Sequence, residues 1–117
     1  TEGEPTRLII DGGPRLTGRT LAEKRDHFAR DFDHLRRFAV LEPRGHDALV
    51  GALLCEPETR SSTAGVIFFN NVGYLGMCGH GSMGLVATLA HQAQEVCKVC
   101  KLAVFGRSQY HVDSAEA

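Results

Sequence analysis

The chain has 117 residues, a hydrophobic fraction of 43%, a charged fraction of 23% and a formal charge of −1. That length holds one domain with a core and is short for two, and the composition is that of a folded globular protein. The near-zero charge argues against a nucleic-acid or membrane-binding face, and no stretch approaches the roughly 20 apolar residues that span a bilayer.

Thr1-Glu2-Gly3-Glu4-Pro5 is acidic and lacks the basic and apolar regions of a signal peptide, so the expected location is cytoplasmic. Residues 6–10 read as a short strand, ended by the turn signal Asp11-Gly12-Gly13-Pro14. Residues 21–38 are predicted to form one helix. Thr20 and Glu23 make a capping box, and Leu21, Phe28, Phe32, Leu35 and Ala39 recur at spacings of seven, four, three and four. The opposite face carries Lys24, Arg25, Arg30, Asp33, Arg36 and Arg37 and reads as solvated. His27 and His34 lie on this helix without a carboxylate or cysteine placed to complete a metal site.

A polar break at residues 43–47 follows; Arg44, His46 and Asp47 could line a site or form an ordinary loop. Residues 48–55 resume as an apolar strand, 56–63 read as a surface loop, and 65–71 form a second strand with the continuous apolar run Val66-Ile67-Phe68-Phe69. A second helix is expected from Gly81 to about Ala93, with Met83, Val86, Leu89, Ala90 and Ala93 on one side. A strand is expected around residues 102–105.

Cys55, Cys78, Cys97 and Cys100 are sparse and come without a secretory signal, so reduced thiols are expected. Cys97-Lys98-Val99-Cys100 is a single C-x-x-C. As half of a zinc site it lacks well-spaced partners, with His91 and His111 only loosely placed, and as a redox pair it falls at the wrong end of a helix.

The richest segment is Met77-Cys78-Gly79-His80-Gly81-Ser82-Met83-Gly84, which puts a thiol at the mouth of the second helix. The N–H groups and positive dipole end of a helix favour a thiolate and can hold a substrate carboxylate. Gly79 and Gly81 carry no Cβ and are expected to let a ligand approach the backbone. Cys78 could equally be a small buried hydrophobe, and His80 a surface turn residue. A Cys–His hydrolase is the weaker functional reading: two residues apart, the side chains need not face each other, and no Asp or Asn is evident to orient the histidine.

Together these segments resemble the proline racemase family, and within it the 4-hydroxyproline 2-epimerases. The likeness runs through Thr1–Arg7, Asp11-Gly12-Gly13-Pro14, Leu41-Glu42-Pro43-Arg44-Gly45-His46-Asp47, Gly51–Pro57 and Gly65–Leu89, in the family's order over residues 1–91. Phe69-Asn70-Asn71-Val72-Gly73-Tyr74-Leu75-Gly76 favours the hydroxyproline branch, and a cysteine at 78 favours epimerisation over dehydration.

The resemblance implies an α+β fold. It would be one half of a diaminopimelate-epimerase-like two-domain structure, with a mixed sheet around a central helix. It also implies cofactor-independent chemistry, without pyridoxal phosphate. One thiolate removes the α-proton of trans-4-hydroxy-L-proline and a second thiol protonates the opposite face to give cis-4-hydroxy-D-proline. Cys78 matches the first thiol, Gly79 and His80 the substrate-holding positions; no metal is implied, and Cys55 is expected to be strand packing. Family members are more than twice this length. Their second cysteine, in a motif like Asp-x-x-x-Cys-Gly-x-Gly-Thr, has no counterpart here, and residues 92–117 do not follow the family. The expectation is therefore a 1–91 epimerase-like domain with a divergent tail, truncated and lacking the second cysteine. The expected ligand is hydroxyproline or proline, with no nucleic-acid or membrane partner. The alternative is an inactive remnant that binds a small carboxylate, or a protein partner including a second copy as a homodimer.

Overall fold

The computed structural model describes residues 3–100 and 112–115. Strand β1 (Thr6–Ile9) leads through helices α1 (Leu21–Asp31) and α2 (Asp33–Val40) to β2 (Val50–Cys55). Then come β3 (Ala64–Phe69), β4 (Tyr74–Leu75), α3 (Gly79–Cys100) and β5 (Val112–Ser114). β1 and β2 pair in parallel, as a strand pair joined by a helical crossover must, and β2 and β3 pair antiparallel from Gly51↔Phe69 to Cys55↔Gly65. Along its far side β3 takes β4 antiparallel and β5 in parallel, which completes a five-stranded mixed sheet. The expected strand around residues 102–105 lies outside the described residues.

Alternation along β2 and β3 sends side chains to two cores. Leu53, Ile67 and Phe69 pack under α1 and α2 with Leu21, Phe28 and Val40, and Phe28 stacks on Phe69 at 5.8 Å. Ala52, Val66 and Phe68 face the other way, against Leu85 and Cys78. All six residues of β3 are buried, as its unbroken apolar run predicts. Cys55 belongs to the α1/α2 side, partly buried, and desolvation pushes its thiol up to about 11. Helix α3 starts two residues before the expected position and continues to Cys100. Over residues 79–93 its buried residues are Gly81 and Leu85, whereas Met83 and Ala93 of the expected apolar side are exposed.

The predicted single helix over 21–38 is two. Thr20 caps α1 as expected: its hydroxyl accepts from Glu23 N–H at 3.2 Å, and Glu23 returns the bond to Thr20 N–H. Phe32 then leaves helical geometry (φ −129°, ψ 19°) and starts α2 in a new direction. Side-chain bonding accompanies the break. Arg36, read as solvated from its charged neighbours, is 8% exposed and grips Asp33 through two nitrogens at 2.7 and 3.1 Å. It also donates to the carbonyls of Asn70 and Asn71, while Tyr74 O–H donates to Asp33 at 2.8 Å. The cluster ties α2 to the β3–β4 turn.

The Arg36 guanidinium holds the Asp33 carboxyl below the ordinary carboxylate range. A depressed carboxylate stabilises the fold above its unfolded value and loses that contribution as pH falls. The Asp33 contribution is therefore expected to disappear below about pH 4 and to be flat from there to neutrality. Arg36→Ala should cost about 2–4 kcal/mol, because it leaves the Asp33 carboxylate with Tyr74 alone and two carbonyls without their donor, and should weaken this acid dependence. Urea titrations at several pH values check both.

Candidate active site

The β3–β4 hairpin delivers the chain to the start of α3. Its turn is closed by Asn70, whose side chain accepts the N–H groups of Val72 and Gly73 at 2.9 Å. Cys78 immediately precedes the helix. Its carbonyl accepts the first intrahelical bond from Ser82 N–H at 2.9 Å and a second from Ser82 O–H at 2.8 Å. The N–H groups of a first helical turn have no intrahelical acceptor, and no acidic residue lies in this one. Opposite the helix, Phe68 closes the floor.

The thiol of Cys78 is 9% exposed and faces His80, with Sγ 3.6 Å from Nδ1 and 4.0 Å from Nε2. The pair that need not meet does meet. The reason is local: the chain bends into the helix between them, so both side chains rise on the same side. Glu4, just before β1, brings a carboxylate oxygen to 3.4 Å from the same Nδ1. Sequence spacing alone gave no sign of Glu4, which is 76 positions from His80.

The two glycines differ. Space beyond Gly79 is open: a Cβ there would meet nothing within 4 Å. A Cβ on Gly81 would lie 2.9 Å from the Phe68 ring and 3.2 Å from the Cys78 sulfur. The backbone at Gly79 is thus open, while Gly81 packs the helix onto Phe68. Beside the helix start lies a cavity of about 500 Å³, bordered by Val66, Phe68, Met77 and Ser82 and, across it, Glu58 and Asp113. Met77, at its edge, is exposed. A cavity of about 410 Å³ on the opposite side, lined by Phe28, Leu35 and Phe38, shares no residue with it.

Arg44, His46 and His27 have structural roles. Arg44 donates to the Phe38 carbonyl and lies 3.5 Å over the Phe38 ring, and His46 accepts from Ala48 N–H. His27 accepts from Thr17 N–H at 2.9 Å and contacts Asp31 at 3.1 Å, apart from His34. Cys97 and Cys100 fall at the end of α3, and His111 lies outside the described residues. Among the described residues no three His, Cys, Asp or Glu side chains form a metal-binding group, and no helix is long and apolar enough to cross a membrane.

A thiol at a helix start, set against one face of a mixed sheet, is the arrangement of a defined group of proteins. The chain belongs to the proline racemase family, whose sequence model matches residues 1–98. Within that family it is 63% identical over 94 residues to the 4-hydroxyproline 2-epimerase of Chromohalobacter salexigens, an alignment that covers 80% of this chain and 30% of the relative. The chain therefore spans less than a third of that relative's length. Among solved structures it resembles a hydroxyproline epimerase from Agrobacterium vitis with bound trans-4-OH-L-proline, with a TM-score of 0.72 and 27% identity. That match covers 80% of this chain and 28% of the solved one. A probable proline racemase from Agrobacterium radiobacter with bound carbonate superposes with a TM-score of 0.69 at 32% identity, over 75% of this chain and 26% of that one. The fold is thus that of one half of a two-domain epimerase, as expected.

Proposed function

We propose that this chain is the Cys78-bearing part of a cofactor-independent epimerase that inverts Cα of 4-hydroxyproline, interconverting trans-4-hydroxy-L-proline and cis-4-hydroxy-D-proline. The observation that carries the reading is the Cys78 sulfur at the start of α3, 3.6 Å from His80 and next to the open side of Gly79. The relatives' names supply the substrate.

In this reading the substrate carboxylate lies at the N–H groups that open α3, on the side where Gly79 leaves room. The Cys78 thiolate takes the α-proton and becomes a thiol, and the electron pair of the C–H bond delocalises into the carboxylate. That charge develops against oriented N–H groups and the helix dipole, where stabilisation is largest. A single thiol returns the proton to the face it came from, so inversion needs a second acid on the other face. Cys55 does not serve, since it packs on the opposite side of the sheet with a thiol held protonated by burial.

The two glycines separate binding from packing. Gly79→Ala should leave stability within about 0.5 kcal/mol of the parent, because nothing opposes its methyl, yet block the carboxylate position. Gly81→Ala should cost about 1–3 kcal/mol by forcing Phe68 and the thiol apart. Thermal melts alongside exchange of the hydroxyproline α-proton in D2O test the reading: loss of exchange in the Gly79 variant at full stability supports it, and unchanged exchange counts against it.

A further inference from the structure

Two arginines converge where helix α2 ends. The last carbonyls of a helix have no intrahelical donor, and the negative end of its dipole favours a cation there. Arg7, from β1, donates to the Ala39 carbonyl, and Arg44 donates through Nε to the Phe38 carbonyl at 2.8 Å. Carbonyls of adjacent residues thus bring both guanidiniums to the same place. Capping uses one nitrogen of each, and a guanidinium has further N–H donors in its planar fork. Among the described residues neither arginine forms an ion pair with a carboxylate. Two like charges gathered without a counter-ion favour an anion. Both side chains also line the cavity of about 410 Å³ on the α1/α2 side of the sheet, a volume typical of small-molecule sites. Its border includes Ile9, Leu35 and Phe38, which are incompletely buried, and the core residues Phe28 and Leu53. Apart from the two arginines, no charged residue lines it.

We propose that this cavity binds a small monocarboxylate with an apolar body, its carboxylate on Arg7 and Arg44 and its tail against Ile9, Leu35 and Phe38. The lining dictates the class. A guanidinium fork matches a carboxylate in shape and charge, and the absence of any other charged lining residue calls for a ligand charged at one end only. Hydroxyproline, with a charged nitrogen and a hydroxyl on its ring, does not fit that description. The cavity shares no residue with the one beside the start of α3, so the inference stands apart from the epimerase reading. Each arginine is solvent-exposed, which keeps the expected affinity moderate.

Octanoate and 4-phenylbutanoate are the probes, titrated into the full chain and followed by 1H–15N spectra. Saturable binding is expected for at least one of them, with a Kd of about 0.1–1 mM. The shifts should concentrate at Gly12, Gly13, Leu35 and Ala39 and spare residues 79–82. Octanol, which has the tail without the charge, and acetate, which has the charge without the tail, should each bind at least about tenfold more weakly. Arg7→Gln and Arg44→Gln should each weaken binding of the carboxylate about three- to tenfold, and Arg7→Lys and Arg44→Lys less. Thermal melts without ligand show whether each variant keeps the fold; should a variant fail to fold, the contrast of octanoate with octanol in the parent still decides. Failure of both probes to saturate by about 10 mM overturns the inference. So does octanol binding as tightly as octanoate, or shifts confined to residues 79–82. Failure of the epimerase reading would appear separately, as absent α-proton exchange with carboxylate binding intact.

Discussion

Cys78→Ala is expected to abolish exchange of the hydroxyproline α-proton, with a loss of at least about 10³-fold, while the fold survives. A positioned acid–base group contributes on the order of 10²–10⁴ in rate, and no described side chain can take this one's place. His80 lies beside the sulfur, and Glu4 lies 3.4 Å from the same imidazole. The stability cost should be small. The alanine removes one sulfur atom from a site that is already 9% exposed, so a change of about 1 kcal/mol is expected. Cys78→Ser should be nearly as inactive, since a hydroxyl ionises far less readily than a thiol. Deuterium incorporation followed by NMR, with a thermal melt of each variant, separates lost chemistry from lost structure.

Phe68→Ala is expected to be the most damaging substitution near the site. Phe68 is 1% exposed, belongs to the core beneath α3, and supports Gly81 from below. Removing a buried phenylalanine side chain costs about 3–5 kcal/mol, a large share of the 5–15 kcal/mol that holds a typical domain. A fall in melting temperature of roughly 10–20 °C follows for a chain of this size. The void also lies under the helix start, so exchange should fall further than the loss of folded protein explains. Phe68→Leu should restore most of the stability. A melting temperature within a few degrees of the parent in Phe68→Ala would show that α3 does not depend on this contact.

The sequence carried the local signals faithfully. Thr20 and Glu23 announced the α1 cap, the apolar run at 66–69 announced a strand covered on both faces, and a thiol before a glycine-rich turn announced the opening of α3. Non-local bonding was what stayed hidden. The spacing of Phe28, Phe32 and Leu35 suits one helix, and nothing in it shows that Asp33 and Arg36 are held by the β3–β4 turn. Arg36 therefore read as solvated when it is buried, although its three-residue spacing from Asp33 was a usable hint. Likewise Met83 and Ala93 fit an apolar helical stripe but face outward, because sequence periodicity cannot say which side of α3 meets the sheet. At the site, Cys78, Gly79 and His80 were legible as a motif. The packing role of Gly81 and the approach of Glu4 were not, since both depend on where β1 and β3 bring their side chains.

The stereochemistry of exchange decides whether Cys78 works on one face of Cα. The full chain is incubated with trans-4-hydroxy-L-proline in D2O, and both epimers are separated and examined for deuterium at Cα. Slow incorporation into the L-epimer is expected, dependent on Cys78, with no accumulation of the D-epimer, because one thiol serves one face. Accumulation of the D-epimer would contradict the single-thiol account and require a second acid acting with this chain. Absence of deuterium from both epimers would contradict the assignment of Cys78 as the acid–base group.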